Sequence, residues 1–134
     1  MSEITLGIIG GGQLGSMLAI AAKKLNVKTV VFCDDTDAPA QNFCNQFVTG
    51  SYDNKEKISE FINQVDLVTY EFENIPFETL NEINKFKPVL PKPSVNRLIQ
   101  HRLAEKDFVN KLNIRTTRYV SLEKKSDIDA GDDF

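Results

Sequence analysis

The fold is decided by the stretch Ile4-Thr5-Leu6-Gly7-Ile8-Ile9-Gly10-Gly11-Gly12-Gln13-Leu14-Gly15. Its apolar first half is typical of a buried strand, and the glycines directly after it predict a tight turn. Beyond the turn, apolar residues recur at the spacing of one helix face. They are Leu14, Leu18, Ala21, Ala22 and Leu25. We therefore expect a strand, a glycine turn and a helix that packs inward through these five residues.

The same alternation of strand and helix patterns continues along the chain. Further strands are predicted at residues 27–33, 47–49 and 66–70. Helices are predicted to begin near Pro39, at a capping pair formed by Asp53 and Glu56, at Pro76, at Ser94 and at His101. Strands that are apolar on both faces and separated by helices favour a parallel sheet covered on both sides. The predicted class is therefore α/β, a doubly wound parallel sheet in three αβα layers.

The composition of the chain argues against some classes of binding partner. The chain has 134 residues, 41% hydrophobic and 26% charged, with a formal net charge of -3. These values are ordinary for a globular domain and argue against a disordered chain or a basic nucleic-acid binder. No stretch approaches the roughly 18 apolar residues of a membrane span, and no basic segment of a secretory signal is present. Two cysteines, Cys33 and Cys44, cannot form a disulfide framework, so we expect a cytoplasmic protein. From the charge and the lack of a long apolar stretch, we expect neither nucleic acid nor membrane as a partner.

The glycine turn is the first candidate site. Residues 10–15 fit the pattern G-x-G-x-x-G between a predicted strand and a predicted helix. Free N–H groups at a helix start attract phosphate or carboxylate. An acidic residue about 20 positions on, here Asp34 or Asp35, would hold a ribose hydroxyl in a dinucleotide enzyme. A stand-alone module that binds NAD or another nucleotide is therefore one hypothesis, although the glycines can also serve only to pack the helix on the sheet.

An acidic loop is the second candidate site. The run Tyr70-Glu71-Phe72-Glu73-Asn74 follows the fourth strand, at the carboxyl edge where ligands of open α/β sheets bind. Alternation along an extended segment puts Glu71 and Glu73 on the same side. They could accept hydrogen bonds from an amine or from sugar hydroxyls; alternatively, one caps the next helix and the other is solvated. We expect the turn and the loop to converge on one crevice shaped for a sugar phosphate.

Four stretches, in order, resemble the N5-carboxyaminoimidazole ribonucleotide synthases, ATP-grasp enzymes of purine biosynthesis. They are Gly10-Gly11-Gly12-Gln13-Leu14-Gly15, Asp35-Thr36-Asp37-Ala38-Pro39-Ala40, Val68-Thr69-Tyr70-Glu71-Phe72-Glu73-Asn74 and His101-Arg102-Leu103-Ala104-Glu105-Lys106. The resemblance extends to about Tyr119. It implies a Rossmann-like pre-ATP-grasp domain at residues 1–120, followed by an acidic tail at 121–134 where the ATP-grasp region would start.

The resemblance also implies an activity and a set of site residues. The family carboxylates 5-aminoimidazole ribonucleotide with bicarbonate, cleaving ATP to ADP and phosphate with the help of Mg²⁺. The residues that would bind the ribonucleotide are Gly12, Gln13, Leu14, Glu71 and Glu73. Arg102 would reach ATP, because the planar donors of an arginine can bridge phosphate oxygens. The resemblance also implies that a full-length member of the family can form a homodimer.

Two departures from the family pattern limit what this chain would do. Ser16 stands where the family commonly has an arginine. The family's nucleotide-binding lysines and magnesium-binding acids would lie beyond Phe134, and a phosphoryl transfer depends on such groups for several kcal/mol of its barrier, roughly 10³-fold or more in rate. We therefore expect no catalytic residue and no metal ligand among these residues, and no catalysis by this chain alone. A third hypothesis is a fragment without any ligand.

Overall fold

The computed structural model describes residues 4–125 and 128. Its strands are β1 Thr5–Ile9, β2 Lys28–Cys33, β3 Gln46–Thr49 and β4 Leu67–Tyr70. Its α-helices are α1 Gln13–Lys24, α2 Lys55–Ile62, α3 Phe77–Ile83, α4 Pro93–Ile99 and α5 Arg102–Lys111, and a 3-10 helix covers Pro39–Asn42. Within the described part of the chain, no helix is long and apolar enough to cross a membrane.

The four strands form one parallel sheet in the order β3-β2-β1-β4. Ile9 at the end of β1 pairs with Phe32 of β2 on one side and with Tyr70 of β4 on the other. The residues that follow these three strands therefore meet at the carboxyl edge of the sheet. This register brings the glycine turn and the acidic loop together, because Gly10 and Glu71 are each one residue past the paired ends.

Both faces of the sheet are covered, which confirms the predicted α/β class. On one face, Ile9 and Phe32 belong to a buried cluster that includes Phe61 of α2 and Leu80 of α3. On the other face, Ile8 and Val31 cluster with Ala19 of α1 and Ala40 of the 3-10 helix. Successive strand residues point to opposite faces, so β1 and β2 are apolar on both sides.

Of the five residues predicted to face inward from α1, Ala22 is buried and the other four are exposed, so most of the predicted face was wrong. The buried residues of this helix are Gly15, Ser16, Ala19 and Ala22. Leu14 is 56% exposed and Leu25 is 75% exposed, and Leu18 also lies at the surface. The small residues face the sheet because the helix lies too close to the preceding backbone for a larger side chain, and a Cβ added at Gly15 would overlap the carbonyl oxygen of Gly10. Close packing therefore selects the inward face here, not hydrophobic periodicity.

Several predicted helix starts are also displaced. Pro76 is the N-terminal cap residue of α3 and not its first helical residue. Asn54, not Asp53, caps α2, and its side-chain oxygen accepts a hydrogen bond from the Lys57 N–H at 3.0 Å. The Asp53 carboxylate instead accepts from the Ser51 hydroxyl at 2.5 Å. Helix α4 begins at Pro93, so Ser94 lies within it. In each case the helix starts close to the predicted position.

The chain divides into two compact units, Met1–Arg97 and Leu98–Phe134. The first contains the whole sheet and helices α1, α2 and α3; the second contains α5. The boundary predicted at residue 120 falls inside the second unit and stays a prediction. Most of the acidic tail at 121–134 lies outside the described residues.

Candidate functional site

The glycine turn is built from backbone that approaches its neighbours very closely. Gly10 has a φ of 109°, a conformation that side-chain-bearing residues rarely adopt. Its N–H donates to the carbonyl oxygen of Phe32 at 2.9 Å. The carbonyl oxygen of Gly11 accepts from the Ala40 N–H at 3.0 Å, and a Cβ at Gly11 would lie 2.7 Å from that of Ala38. The turn is thus held between the end of β2 and the 3-10 helix.

Glu71 closes this turn from the other side. Its backbone N–H donates to the carbonyl oxygen of Ile9 at 3.2 Å, which continues the β1–β4 pairing for one more residue. Its Oε1 atom lies 2.5 Å from the position that a Cβ would occupy at Gly10, 3.6 Å from that at Gly12 and 3.7 Å from that at Gly15. The predicted convergence of turn and loop is therefore present. The anion that lies against the glycines is the protein's own carboxylate.

The surroundings of Glu71 change its acidity. Burial raises the pKa of this carboxyl group, and the nearby charge of Glu73 raises it further. The Gly12 N–H, at the start of α1, is directed at the carboxylate and lowers the pKa in part. The group is therefore a half-buried acceptor whose negative charge is only partly compensated by the helix start.

The residues predicted to bind the substrate differ in their position at this corner and in their exposure. Gln13 and Leu14, the first residues of α1, have exposed side chains next to the turn. Glu73 is exposed and close enough to Glu71 for their charges to interact, as the alternation predicts. Gly12 is the N-terminal cap residue of α1 in an extended conformation. These residues line the rim of the corner, and Glu71 lies at its centre.

Arg102 belongs to the second unit and is the first residue of α5. Its guanidinium contacts the Glu105 carboxylate at 2.5 Å, and its side chain is 77% exposed. Ser16, at the position where the resemblance leads one to expect an arginine, lies on the buried face of α1, and its hydroxyl donates to the carbonyl oxygen of Gly12 at 2.9 Å. Position 16 therefore faces the sheet.

The acidic residues that a dinucleotide would require are engaged locally. The Tyr52 hydroxyl lies against Asp34 and the Cys33 thiol; burial, followed by these two groups, raises the pKa of Tyr52. Cys33 also donates to the Asp34 carboxylate, with a sulfur–oxygen distance of 3.8 Å. The Asp35 carboxylate accepts from the Asp37 N–H at 2.9 Å. Both carboxylates thus bind groups of their own chain.

Three further residues shape this corner. Gly10 and Gly15 belong to the predicted glycine turn and approach the Glu71 carboxylate, as does Gly12, the glycine predicted to bind the substrate. Asn96 of α4, to which no sequence pattern assigns a role, binds with its side chain the backbone just after the acidic loop. Among residues 4–125 and 128, no group of three or more His, Cys, Asp or Glu side chains is arranged to hold a metal ion.

Comparisons with known proteins agree with this architecture. The chain is 41% identical over 124 residues to the bifunctional purine synthesis protein purC/E of Dictyostelium discoideum, covering 92% of this chain and 12% of that protein. It is 38% identical over 112 residues to the N5-carboxyaminoimidazole ribonucleotide synthase of Brucella melitensis, covering 84% and 31%. The chain thus spans about a third of the length of such a synthase and an eighth of the bifunctional protein.

Solved structures show the same fold. The N5-carboxyaminoimidazole synthetase of Staphylococcus aureus, complexed with ADP, superimposes with a TM-score of 0.87 at 32% identity, covering 96% of this chain and 34% of that one. The synthase of Aspergillus clavatus in complex with ADP and 5-aminoimidazole ribonucleotide gives 0.82 at 27% identity, covering 96% and 35%. Residues 3–100 match the family described as the ribonucleotide synthetase pre-ATP-grasp domain. With the glycine turn, the acidic loop and the 3-2-1-4 sheet, this match shows that the chain belongs to the pre-ATP-grasp domain family of ribonucleotide synthetases.

Proposed function

We propose that this chain is the N-terminal substrate-binding domain of an ATP-dependent ligase that carboxylates 5-aminoimidazole ribonucleotide with bicarbonate to give N5-carboxyaminoimidazole ribonucleotide. The observation that carries the proposal is the Glu71 carboxylate, which lies over the glycine turn at the carboxyl edge of the sheet. The names of the relatives support it, and so does the complex of the Aspergillus clavatus synthase with ADP and 5-aminoimidazole ribonucleotide.

The position of Glu71 determines which end of the ribonucleotide this corner would accept. A phosphate at the turn would compete with Glu71 for the Gly12 N–H and be repelled by its charge. A hydroxyl or amine can instead donate to the carboxylate oxygens. We therefore place the ribose hydroxyls or the amine against Glu71 and Glu73, with Gly12, Gln13 and Leu14 at the rim. We therefore propose that this corner binds hydrogen-bond donors of the ligand, in place of the sugar phosphate expected from the sequence.

ATP, Mg²⁺ and bicarbonate would bind mainly through the portion of the family's longer chains that this sequence does not include. The described residues offer no acidic cluster for a metal ion. Arg102 is the one residue of this chain that we propose to contact ATP, from the second unit. A cytoplasmic location and, for full-length members, a homodimer belong to the same proposal. Without the ATP-grasp portion, the chain alone is not expected to turn over.

The experiment is isothermal titration of the chain with 5-aminoimidazole ribonucleotide and, separately, with NADH. We expect saturable binding of the ribonucleotide only, because Asp34 is already engaged by Tyr52 and Cys33. Glu71→Ala should weaken binding by about 1–3 kcal/mol, the range for removing one partner of a buried polar contact. Glu56→Ala, in the exposed first turn of α2, is the matched control.

Four results would contradict the proposal in different ways. Heat with NADH alone would favour the nucleotide-binding module, and no saturable binding of either compound would favour a fragment without a ligand. An unchanged affinity in a folded Glu71→Ala variant would remove Glu71 from the site. Release of ADP by the isolated chain, with ATP, bicarbonate and the ribonucleotide supplied, would refute the expected inactivity.

A further inference from the structure

Asn96 is a fully buried polar residue on α4 that contacts the acidic loop. Its Nδ2 atom donates to the carbonyl oxygen of Ile75 at 3.0 Å, and both residues are 0% exposed. Ile75 is the last residue before Pro76, which caps α3. This hydrogen bond therefore fixes the point at which the loop that carries Glu71 and Glu73 joins the next helix.

The same residue faces the other end of the loop. Tyr70, the last residue of β4, has a buried hydroxyl next to the backbone N–H of Asn96, and this N–H lowers the pKa that burial raises. The contact does not have full hydrogen-bond geometry, and among the described residues the Tyr70 hydroxyl has no other partner. Both ends of the segment from Tyr70 to Ile75 thus lie against one residue of α4.

Burying the side-chain amide of Asn96 costs free energy, and packing alone does not explain why an amide occupies this position. The Asn96 Oδ1 atom is buried and has no hydrogen-bond partner in the part of the chain that the structure describes. A buried polar atom without a partner loses its hydrogen bonds to water and gains none in return, and an apolar side chain would fill the same space without that cost. The Nδ2 donor must therefore contribute something else. Within the described residues it binds the carbonyl oxygen of Ile75, directly after the acidic loop.

We propose that Asn96 is a positioning residue for the acidic loop, and that its hydrogen bond to Ile75 holds the Glu71 carboxylate over the glycine turn. Residues 71–74 belong to no helix or strand, and a short segment of this kind keeps one geometry only if both of its ends are fixed. The β1–β4 pairing fixes the first end through the Glu71 N–H, and Asn96 fixes the second. The inference rests on the proposed function, in which Glu71 contacts the ribonucleotide.

The test compares Asn96→Ala with Asn84→Ala. The Asn84 side chain also makes a hydrogen bond to backbone, accepting from the Val89 N–H at 3.0 Å, at a point that does not adjoin the acidic loop. The first readout is the pKa of the Glu71 carboxyl group, measured by NMR titration of ¹³C-labelled glutamate in the full chain. The second is the affinity for 5-aminoimidazole ribonucleotide by calorimetry.

In Asn96→Ala we expect the pKa of Glu71 to move down toward the ordinary carboxyl range, because the released loop lets water reach the carboxylate and separates it from Glu73. Ribonucleotide affinity should fall about tenfold, within the range for losing one buried hydrogen bond. Asn84→Ala should change neither readout, even where it lowers the stability by a similar amount. A merely structural role for Asn96 would lower the stability and leave the pKa of Glu71 in place.

The outcomes separate the two proposals. An unchanged pKa of Glu71 in folded Asn96→Ala overturns the positioning role, whatever the affinity. A lowered pKa without any ribonucleotide binding by the parent chain supports positioning and refutes the proposed function. Should Asn96→Ala not fold, Asn96→Ser gives the same two readouts, since its shorter side chain cannot keep the amide's hydrogen bond but leaves a smaller cavity.

Discussion

Replacing Gly15 by alanine tests whether close packing of α1 sets the geometry of the corner. A Cβ at Gly15 would lie well inside 3.0 Å of the carbonyl oxygen of Gly10, a separation that real Cβ atoms essentially never show. A Cβ at Gly12 would meet only the Glu71 Oε1 atom at 3.6 Å, an ordinary contact. The two substitutions add the same methyl group to the same turn and differ in what it meets.

The expected magnitudes follow from these contacts. Restoring a normal separation at Gly15 requires a displacement of α1 of about 1 Å, because carbon contacts are optimal near 3.5–4.0 Å. Overpacking of this kind costs about 1–3 kcal/mol or more, against a gain of about 1 kcal/mol for alanine over glycine inside a helix. Because the added methyl group would meet backbone and not a flexible side chain, the upper end of this cost applies, and we expect Gly15→Ala to lose about 2 kcal/mol net. Gly12→Ala should lose less than about 1 kcal/mol, the ordinary difference at a helix N-terminal cap.

The assay is urea unfolding followed by circular dichroism at 25 °C. With a slope of about 2 kcal/mol per molar urea, the loss at Gly15 should lower the midpoint by about 1 M. The midpoint of Gly12→Ala should remain within about 0.5 M of the parent by the same conversion. A Gly15→Ala variant as stable as the parent, or equal losses at both positions, would refute the reasoning that α1 is limited by contact with Gly10.

Three further predictions concern single contacts. Burial raises the pKa of Glu71, so stability should fall as the pH rises from below the ordinary carboxyl range through the folded-state pKa. Urea midpoints measured across this pH range should change less in Glu71→Gln than in the parent. An identical pH dependence in the two proteins would contradict the assignment. Asn54→Ala should cost about 1 kcal/mol by thermal or urea unfolding, because the α2 cap is lost; no loss would mean that solvent replaces the cap. Arg102→Ala should change the stability by no more than about 0.5 kcal/mol, since its ion pair with Glu105 is exposed, and a larger loss would show a structural role for this arginine.

Much of the fold was predictable because local patterns and tertiary packing agree. The β-branched strands and the glycine turn each follow from residue type. The inward face of α1 was not predictable from periodicity. Its leucines follow the helical repeat as well as its small residues do, and only the distance to Gly10 decides between them.

The candidate site was predictable in outline only. Sequence order places Glu71 after β4, and the parallel register then brings it to the glycine turn. The helix start favours a phosphate or a carboxylate, and the group that lies there is the Glu71 carboxylate of the same chain. Asn96 carried no usable signal, because burial on a short helix and a hydrogen bond to residue 75 depend on tertiary structure alone.

The position of β1 at the centre of the sheet has a consequence for how the chain folds during synthesis. Its first partner, β2, follows shortly after it, but its second edge is closed by β4, where the Thr5 N–H bonds the Asp66 carboxylate across 61 positions. Until the ribosome has passed that point, one side of β1 exposes backbone N–H and C=O groups without strand partners. Non-local closure of this kind slows folding, so the nascent chain is most vulnerable to mispairing just before β4 emerges.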